Sequence, residues 1–168
     1  MGRRMPEGDS VFRLRQRLAA ASVGHTIASG ELRSGDAAGT PLAGARIASY
    51  DTHGKHLLTR FDDGITLHSH LLMDGAWSVT GPGKRLPTRM MRDVRLVLET
   101  DQRTTAWGLR LHQLELVRTR DEHRVVGHLG PDPLRDDWDP EEAVRRAWRP
   151  VTSRVAPSWS TEPTASTC

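Results

Sequence analysis

Between residues 26 and 118 the chain breaks into eight short β-rich runs, at 26–32, 45–52, 55–61, 64–70, 76–79, 93–100, 104–111 and 114–118, most of them cut by Gly, Asp or Pro. Runs this short cannot bury a surface on their own. With turn signals recurring about every 8 to 12 residues they read as antiparallel strands of a sandwich or barrel. Within 93–100, Val94, Leu96 and Leu98 alternate with Asp93, Arg95, Val97 and Glu99, the period-two pattern of a strand with one face on a core.

Two segments break this rhythm. Val11, Leu14, Leu18 and Ala21 recur at helical spacing after the caps Asp9 and Ser10, and Gly24 supplies a stop, so an amphipathic helix over 12–22 is expected, its other face carrying Arg13, Gln16 and Arg17. Asp139-Pro140-Glu141-Glu142 opens a second, short helix that continues from Ala143 to Trp148 and ends before Pro150. A cap, a proline in the first turn and acids near the positive dipole end all favour that start. Residues 151–168 are rich in Ser, Thr and Pro without helical periodicity and are expected to be disordered.

Charge and cysteine usage narrow the classes. The formal net charge is +3 and the pI about 9.7. Lys55 and Lys84 are the only lysines, so arginine, whose fork matches phosphate, carries nearly all positive charge. The single cysteine, Cys168, excludes an intramolecular disulfide or a four-thiolate zinc site within this chain. No apolar run approaches the ~18 to 20 residues of a membrane span, and a cytosolic protein is the default expectation.

Individual residues point to chemistry, each beside a structural alternative. In Met5-Pro6-Glu7-Gly8-Asp9-Ser10, loss of the leading residues would expose the imino nitrogen of Pro6. An α-amino group titrates near ~7.7 and is roughly one-fifth unprotonated at neutral pH, against below ~0.1% for a lysine, so a free terminus is the better nucleophile toward an aldehyde-like carbon. The alternative is that Pro6 ends a tail and its neighbours cap a helix. The His53-Gly54 step between two strands predicts a tight hairpin with Lys55 at or just past its tip, otherwise a solvated turn lysine. His68 and His70 share one strand face, but no third ligand at metal-site spacing accompanies them, so packed or hydrogen-bonded histidines are expected rather than a metal centre. Met73, in Leu71-Leu72-Met73-Asp74-Gly75, reads by itself as a core methionine. Arg103, in Asp101-Gln102-Arg103-Thr104, reads by itself as a solvated turn arginine.

Taken together, Met5-Pro6-Glu7-Gly8-Asp9-Ser10-Val11, the Gly54-Lys55 tip, His70-Leu71-Leu72-Met73-Asp74-Gly75 and Leu129-Gly130-Pro131-Asp132-Pro133-Leu134 resemble the Fpg/Nei DNA glycosylases, the formamidopyrimidine-DNA glycosylase and endonuclease VIII family. The resemblance runs from residue 5 to about 149. It implies a mainly β (α+β) fold: a two-layer antiparallel β-sandwich with an N-terminal amphipathic helix, a short C-terminal helix and a disordered tail. The divisions it implies are an extension over 1–4, a catalytic sandwich over 5–128, the start of a truncated helical domain over 129–149, and a tail over 150–168. The helix-two-turn-helix element and terminal finger of that family have no counterpart in this sequence.

The same resemblance implies a base-excision repair glycosylase with apurinic/apyrimidinic lyase activity of the endonuclease VIII branch, weak or absent in this chain alone. Pro6 would be the Schiff-base nucleophile, Glu7 the group that moves protons, Lys55 the phosphate and proton-transfer partner, Met73 the wedge and Arg103 a DNA contact. Damaged or abasic double-stranded DNA is the implied partner, no cofactor is required, and a monomer in the cytoplasm associated with the nucleoid is expected. A non-catalytic damaged-DNA-binding remnant and a protein-interaction sandwich remain the alternatives.

Overall fold

A computed structural model of the chain describes residues 8–135 and 138–148; Pro6, Glu7 and the expected tail lie outside the described residues. Eight strands follow a helix α1 (Gly8–Ser22): β1 (Ile27–Leu32), β2 (Ile47–His53), β3 (His56–Phe61), β4 (Ile65–His70), β5 (Ala76–Thr80), β6 (Val94–Thr100), β7 (Thr105–Leu109) and β8 (Gln113–Arg118). They form two four-stranded antiparallel sheets, ordered β1-β6-β7-β5 and β2-β3-β4-β8. Leu57, Leu67 and Leu114 of one sheet meet Leu96, Leu98 and Ala106 of the other in a single buried cluster. The expected sandwich is what forms, because the alternating pattern of β6 buries every second residue from Val94 to Thr100.

The helix lies beside β2, β3 and β5, with Val11, Leu14 and Leu18 buried in the shared core and Arg13, Gln16 and Arg17 exposed. It begins at Gly8 and not at Phe12, so Asp9 and Ser10, expected as caps, stand in its first turn instead. Gly24, at φ +83°, ends the helix and donates to the Ile47 carbonyl. Arg15 reaches the Tyr50 carbonyl, and Phe12 and Arg15 flank residues 49–52, so α1 runs antiparallel to β2 and its first turn faces the β2–β3 tip.

Expectation and structure differ at the end of β7, where the strand expected over 104–111 stops at Leu109. Arg110 adopts φ +50°, a left-handed residue that cannot continue a strand. Among the described residues two α-helices follow the sheets: a four-residue α2 (His123–Val126) and α3 (Pro140–Ala147). The side chain of Asp139 caps α3 by accepting from the amides of Glu141 and Glu142, as its sequence predicts.

The outer face of the β2-β3-β4-β8 sheet is polar and covered by residues 119–135. Arg60 donates through Nε and Nη2 to the two oxygens of Glu122, each at 2.7 Å, and Glu122 also accepts from Thr66 Oγ1 at 2.7 Å. A two-toothed pair of this kind holds direction as well as charge. Arg135 donates to Asp51 Oδ2 at 3.0 Å and to the Thr52 carbonyl at 3.1 Å. These contacts hold the covering segment against the strands that carry the β2–β3 tip.

Candidate functional site

His53 pairs with His56 across the β2–β3 hairpin, leaving Gly54 and Lys55 as its two loop residues. Gly54 has φ +55°, so the first loop position uses the left-handed conformation that glycine enters at no steric cost. The loop is fastened from outside: the Gly54 amide donates to Asp132 Oδ2 at 2.6 Å, and His53 Nε2 lies 2.7 Å from the Gly130 carbonyl. The Gly-Pro-Asp-Pro stretch is thereby tied to the lysine tip. Among the described residues Lys55 has no ion-pair partner.

The lysine loop also holds the next turn. The Leu71 amide donates to the Lys55 carbonyl at 3.1 Å, and the Gly75 amide closes the turn on the Leu71 carbonyl at 2.8 Å. Leu72 takes φ +50°, Leu71 is buried, and Met73 is left 59% exposed. Methionine in a core would be covered; here the turn presents it to solvent. Gly75 is required at its position, since a Cβ there would sit 2.4 Å from the Leu71 carbonyl oxygen. Arg110, to which no sequence motif pointed, braces the turn by donating to the Asp74 carbonyl at 3.1 Å and to Asp93 Oδ2 at 3.3 Å.

Beneath both turns lies a cavity of about 790 Å³ lined by Lys55, His53, His56, His68, His70, His128, Glu115, Arg124 and Asp132 among others. The expected sharing of one face by His68 and His70 holds, and His56 joins them because it faces His70 across the β3–β4 register. The three rings are parallel: His56 stacks on His70 at 3.9 Å and on His68 at 5.0 Å, with His128 edge-on at 6.3 Å. Antiparallel register and period-two alternation contain this information, but only once the hairpin is placed. Among the described residues no group of three or more His, Cys, Asp or Glu side chains is arranged to hold a metal ion.

Burial governs the electrostatics of this stack. His56 is pushed down to about 3 and His68 to about 4, first by desolvation and then by the neighbouring imidazoles. Both are therefore neutral near pH 7. His56 Nδ1 lies 2.7 Å from His68 Nε2, and the buried His68 Nδ1 faces Glu115 Oε1 at 3.8 Å. A lone pair aimed at a carboxylate is unfavourable, so the proton of His68 belongs on Nδ1. His56 Nδ1–H then donates to His68 Nε2, and His56 Nε2 keeps its lone pair.

The structure brings Lys55 and Met73 to one rim and sends Arg103 elsewhere. Arg103, at φ +58°, occupies the β6–β7 turn, at the opposite end of β7 from Arg110. Seven residues of extended chain separate them by roughly 20 Å. Its side chain lines a different cleft, with Lys84 and Arg85.

Comparison with known proteins bears on this arrangement. Residues 5–130 match the formamidopyrimidine-DNA glycosylase N-terminal domain. The probable endonuclease 8 2 of Streptomyces coelicolor is 45% identical over 140 residues, covering 83% of this chain and 50% of that protein. The DNA-(apurinic or apyrimidinic site) lyase Nei2 of Mycolicibacterium smegmatis is 40% identical over 140 residues, covering 83% and 53%. The chain thus spans about half the length of the curated relatives it matches. In fold it is similar to MutM in complex with DNA containing carbocyclic 8-oxo-G, at a TM-score of 0.67 and 23% identity over 84% of this chain and 56% of that one. It is similar also to Lactococcus lactis Fpg bound to DNA containing an AP site, at a TM-score of 0.66 and 23% identity over 84% and 57%.

Proposed function

The chain belongs to the Fpg/Nei family of DNA-repair glycosylases, and on that premise we propose that it acts on damaged or abasic double-stranded DNA as a glycosylase with apurinic/apyrimidinic lyase activity. The observation that carries the reading is the joined pair of turns: a lysine without a counter-ion among the described residues and an exposed methionine, linked by the Leu71–Lys55 backbone hydrogen bond at one rim. The first turn of α1, which follows Glu7 directly, faces the same end of the sandwich.

The proposed reaction begins with extrusion of the damaged nucleotide, which costs a few kcal/mol of unstacking and favours lesions that pair poorly. Met73 fills the vacated space. The Pro6 nitrogen attacks C1′, the bond to the base breaks with its electron pair leaving on the base, and Glu7 supplies and removes the protons that ring opening requires. The resulting iminium acidifies C2′; loss of that proton expels the 3′ phosphate by β-elimination, and a further proton loss expels the 5′ phosphate by δ-elimination. Lys55 binds the phosphate beside the lesion. The nitrogen must be a free terminal amine, because an amide lone pair is delocalised and cannot attack.

In this reading residues 5–128 form the catalytic sandwich and residues 129–149 begin a second, helical unit, the protein works as a monomer in the cytoplasm at the nucleoid, and no cofactor takes part. Turnover by this chain alone is expected to be low, because phosphate contacts dominate affinity and half the length of the curated relatives is unmatched. That half-length coverage favours one second reading, a domain that holds damaged DNA without cleaving it. Borohydride trapping on an abasic duplex separates the two. A covalent adduct that disappears when the Pro6 amine is blocked supports the enzyme, and salt-sensitive retention without adduct supports the binding domain. The absence of both, in protein shown by mass spectrometry to begin at Pro6, would falsify the assignment.

A further inference from the structure

The cleft that receives Arg103 lies on the outer face of the β1-β6-β7-β5 sheet, away from the lysine rim. The segment between β5 and β6 folds over this face, burying Leu86 against Val94 and Leu109. That packing fixes the loop and leaves Lys84 and Arg85 exposed on its crest. The left-handed turn at Arg103 brings a third cation to the same cleft, of about 470 Å³, whose floor includes Val97 and Trp107.

Charge is one-sided here. Several arginines elsewhere are matched to carboxylates, as in Arg33 with Glu31, Arg60 with Glu122 and Arg110 with Asp93, and others, such as Arg15 and Arg46, donate to backbone carbonyls. Lys84, Arg85 and Arg103 have no carboxylate partner among the described residues. The single acid of the cleft, Glu99, accepts from Ser29. Trp107 is half-buried with its Nε1 already donating to Thr80 Oγ1 at 2.9 Å, so its ring is held in place. Three exposed cations beside an aromatic floor make a surface for a polyanion of regular charge spacing, such as a phosphate backbone, which an arginine fork engages with two parallel hydrogen bonds.

We propose that this cleft is a second, sequence-independent contact for duplex DNA, engaging the backbone of a segment other than the one presented to Lys55. The two cationic ends of β7, roughly 20 Å apart along the strand, do not converge on one site. The inference needs neither Pro6 nor a lesion, and its test stands apart from the catalytic proposal.

Binding of an intact, undamaged duplex is followed by fluorescence anisotropy over a salt series. The full chain is compared with a Lys84→Gln/Arg85→Gln/Arg103→Gln variant and with a charge-matched Arg118→Gln/Arg120→Gln/Arg145→Gln variant. The slope of log affinity against log salt should flatten by about 0.9 for each phosphate no longer neutralised, so by up to about 3 in the cleft variant, and by clearly less in the matched one. Equal flattening in both variants would show a general field and overturn the site. An unchanged slope also overturns it, including the case in which the cleft variant instead binds polyglutamate more weakly, which would mark a protein partner. Because all three side chains are exposed, circular dichroism should show the variant folded.

Discussion

Lowering the pH from 7 to 5 should destabilise this fold through two buried histidines. His56 and His68 are neutral in the folded protein down to about 3 and about 4, whereas both titrate near 6.5 once unfolded. The unfolded chain therefore takes up two protons that the folded chain refuses. Their contribution is present above pH 6.5 and is lost as the pH falls toward the folded values. At pH 5 the difference integrates to about 2 kcal/mol for each histidine, at most about 4 for the pair. Against an ordinary stability of about 5–15 kcal/mol that is a large fraction. With a urea slope of about 2 kcal/mol/M it moves the midpoint by roughly 2 M. The assay is urea unfolding at both pH values, for the native chain and for His56→Gln/His68→Gln, whose amides can hydrogen-bond but do not titrate. The native chain should lose about 4 kcal/mol more than the variant on acidification. A difference below about 1 kcal/mol would refute the claim that burial keeps these rings uncharged.

Three further outcomes follow from the same geometry. Gly75→Ala should cost about 1–3 kcal/mol by thrusting a methyl group against the Leu71 carbonyl, read as a fall in Tm, and should weaken abasic-duplex binding by displacing Met73. Met73→Ala should leave Tm within about 1 °C, because the side chain is mostly exposed, while lowering abasic-duplex affinity by about tenfold or more, a split that a core methionine would not give. Glu122→Gln should cost about 1–3 kcal/mol in chemical denaturation, since the Arg60 guanidinium loses a charged two-toothed partner under partial cover.

The sandwich was legible because its strands are short and its turns are chemically marked. Every expected run became a strand, and the alternation in β6 placed its core face without further information. The helix start was less legible, since Asp9 and Ser10, expected as caps, stand in its first turn. The end of β7 was hidden because nothing in an arginine announces φ +50°. At the site, Gly54 announced the tip that carries Lys55, and His68 with His70 announced a shared face. His56 and His128 were not found, because their partnership depends on cross-strand register and on a return from the 119–135 segment. Arg103 was expected as a DNA contact only through the family resemblance, which bears on the Asp101–Thr104 turn and not on its place in the sheet. The strand direction of β7 carries it to the other end of the sheet.

Why the outer face of β2-β3-β4-β8 carries histidines at all follows from what covers it. The face packed on the second sheet carries leucines such as Leu57 and Leu67; the outer face buries Leu58 as well, but its roof also brings backbone carbonyls, carboxylates and arginines, and the polar residues there must meet polar partners. Arginines satisfy the half at Asp51 and Arg60. At the half beside the hairpin tip further fixed charge would compete with Lys55 for an incoming anion or repel it. His56 and His68, kept neutral by desolvation, satisfy hydrogen bonds there without adding charge, and the ammonium of Lys55 has no ion-pair partner among the described residues. The Asp132 carboxylate, which would otherwise attract that ammonium, is engaged instead by the amides of Gly54 and Leu134 at 2.6 and 3.0 Å. Asp132→Ala should then do more than loosen a turn: with the Gly54 amide unheld, the tip gains freedom, and retention on an abasic duplex should fall by about tenfold at unchanged salt slope. A change of slope instead would mean that Asp132 acts on DNA through its charge and not through the position of Lys55.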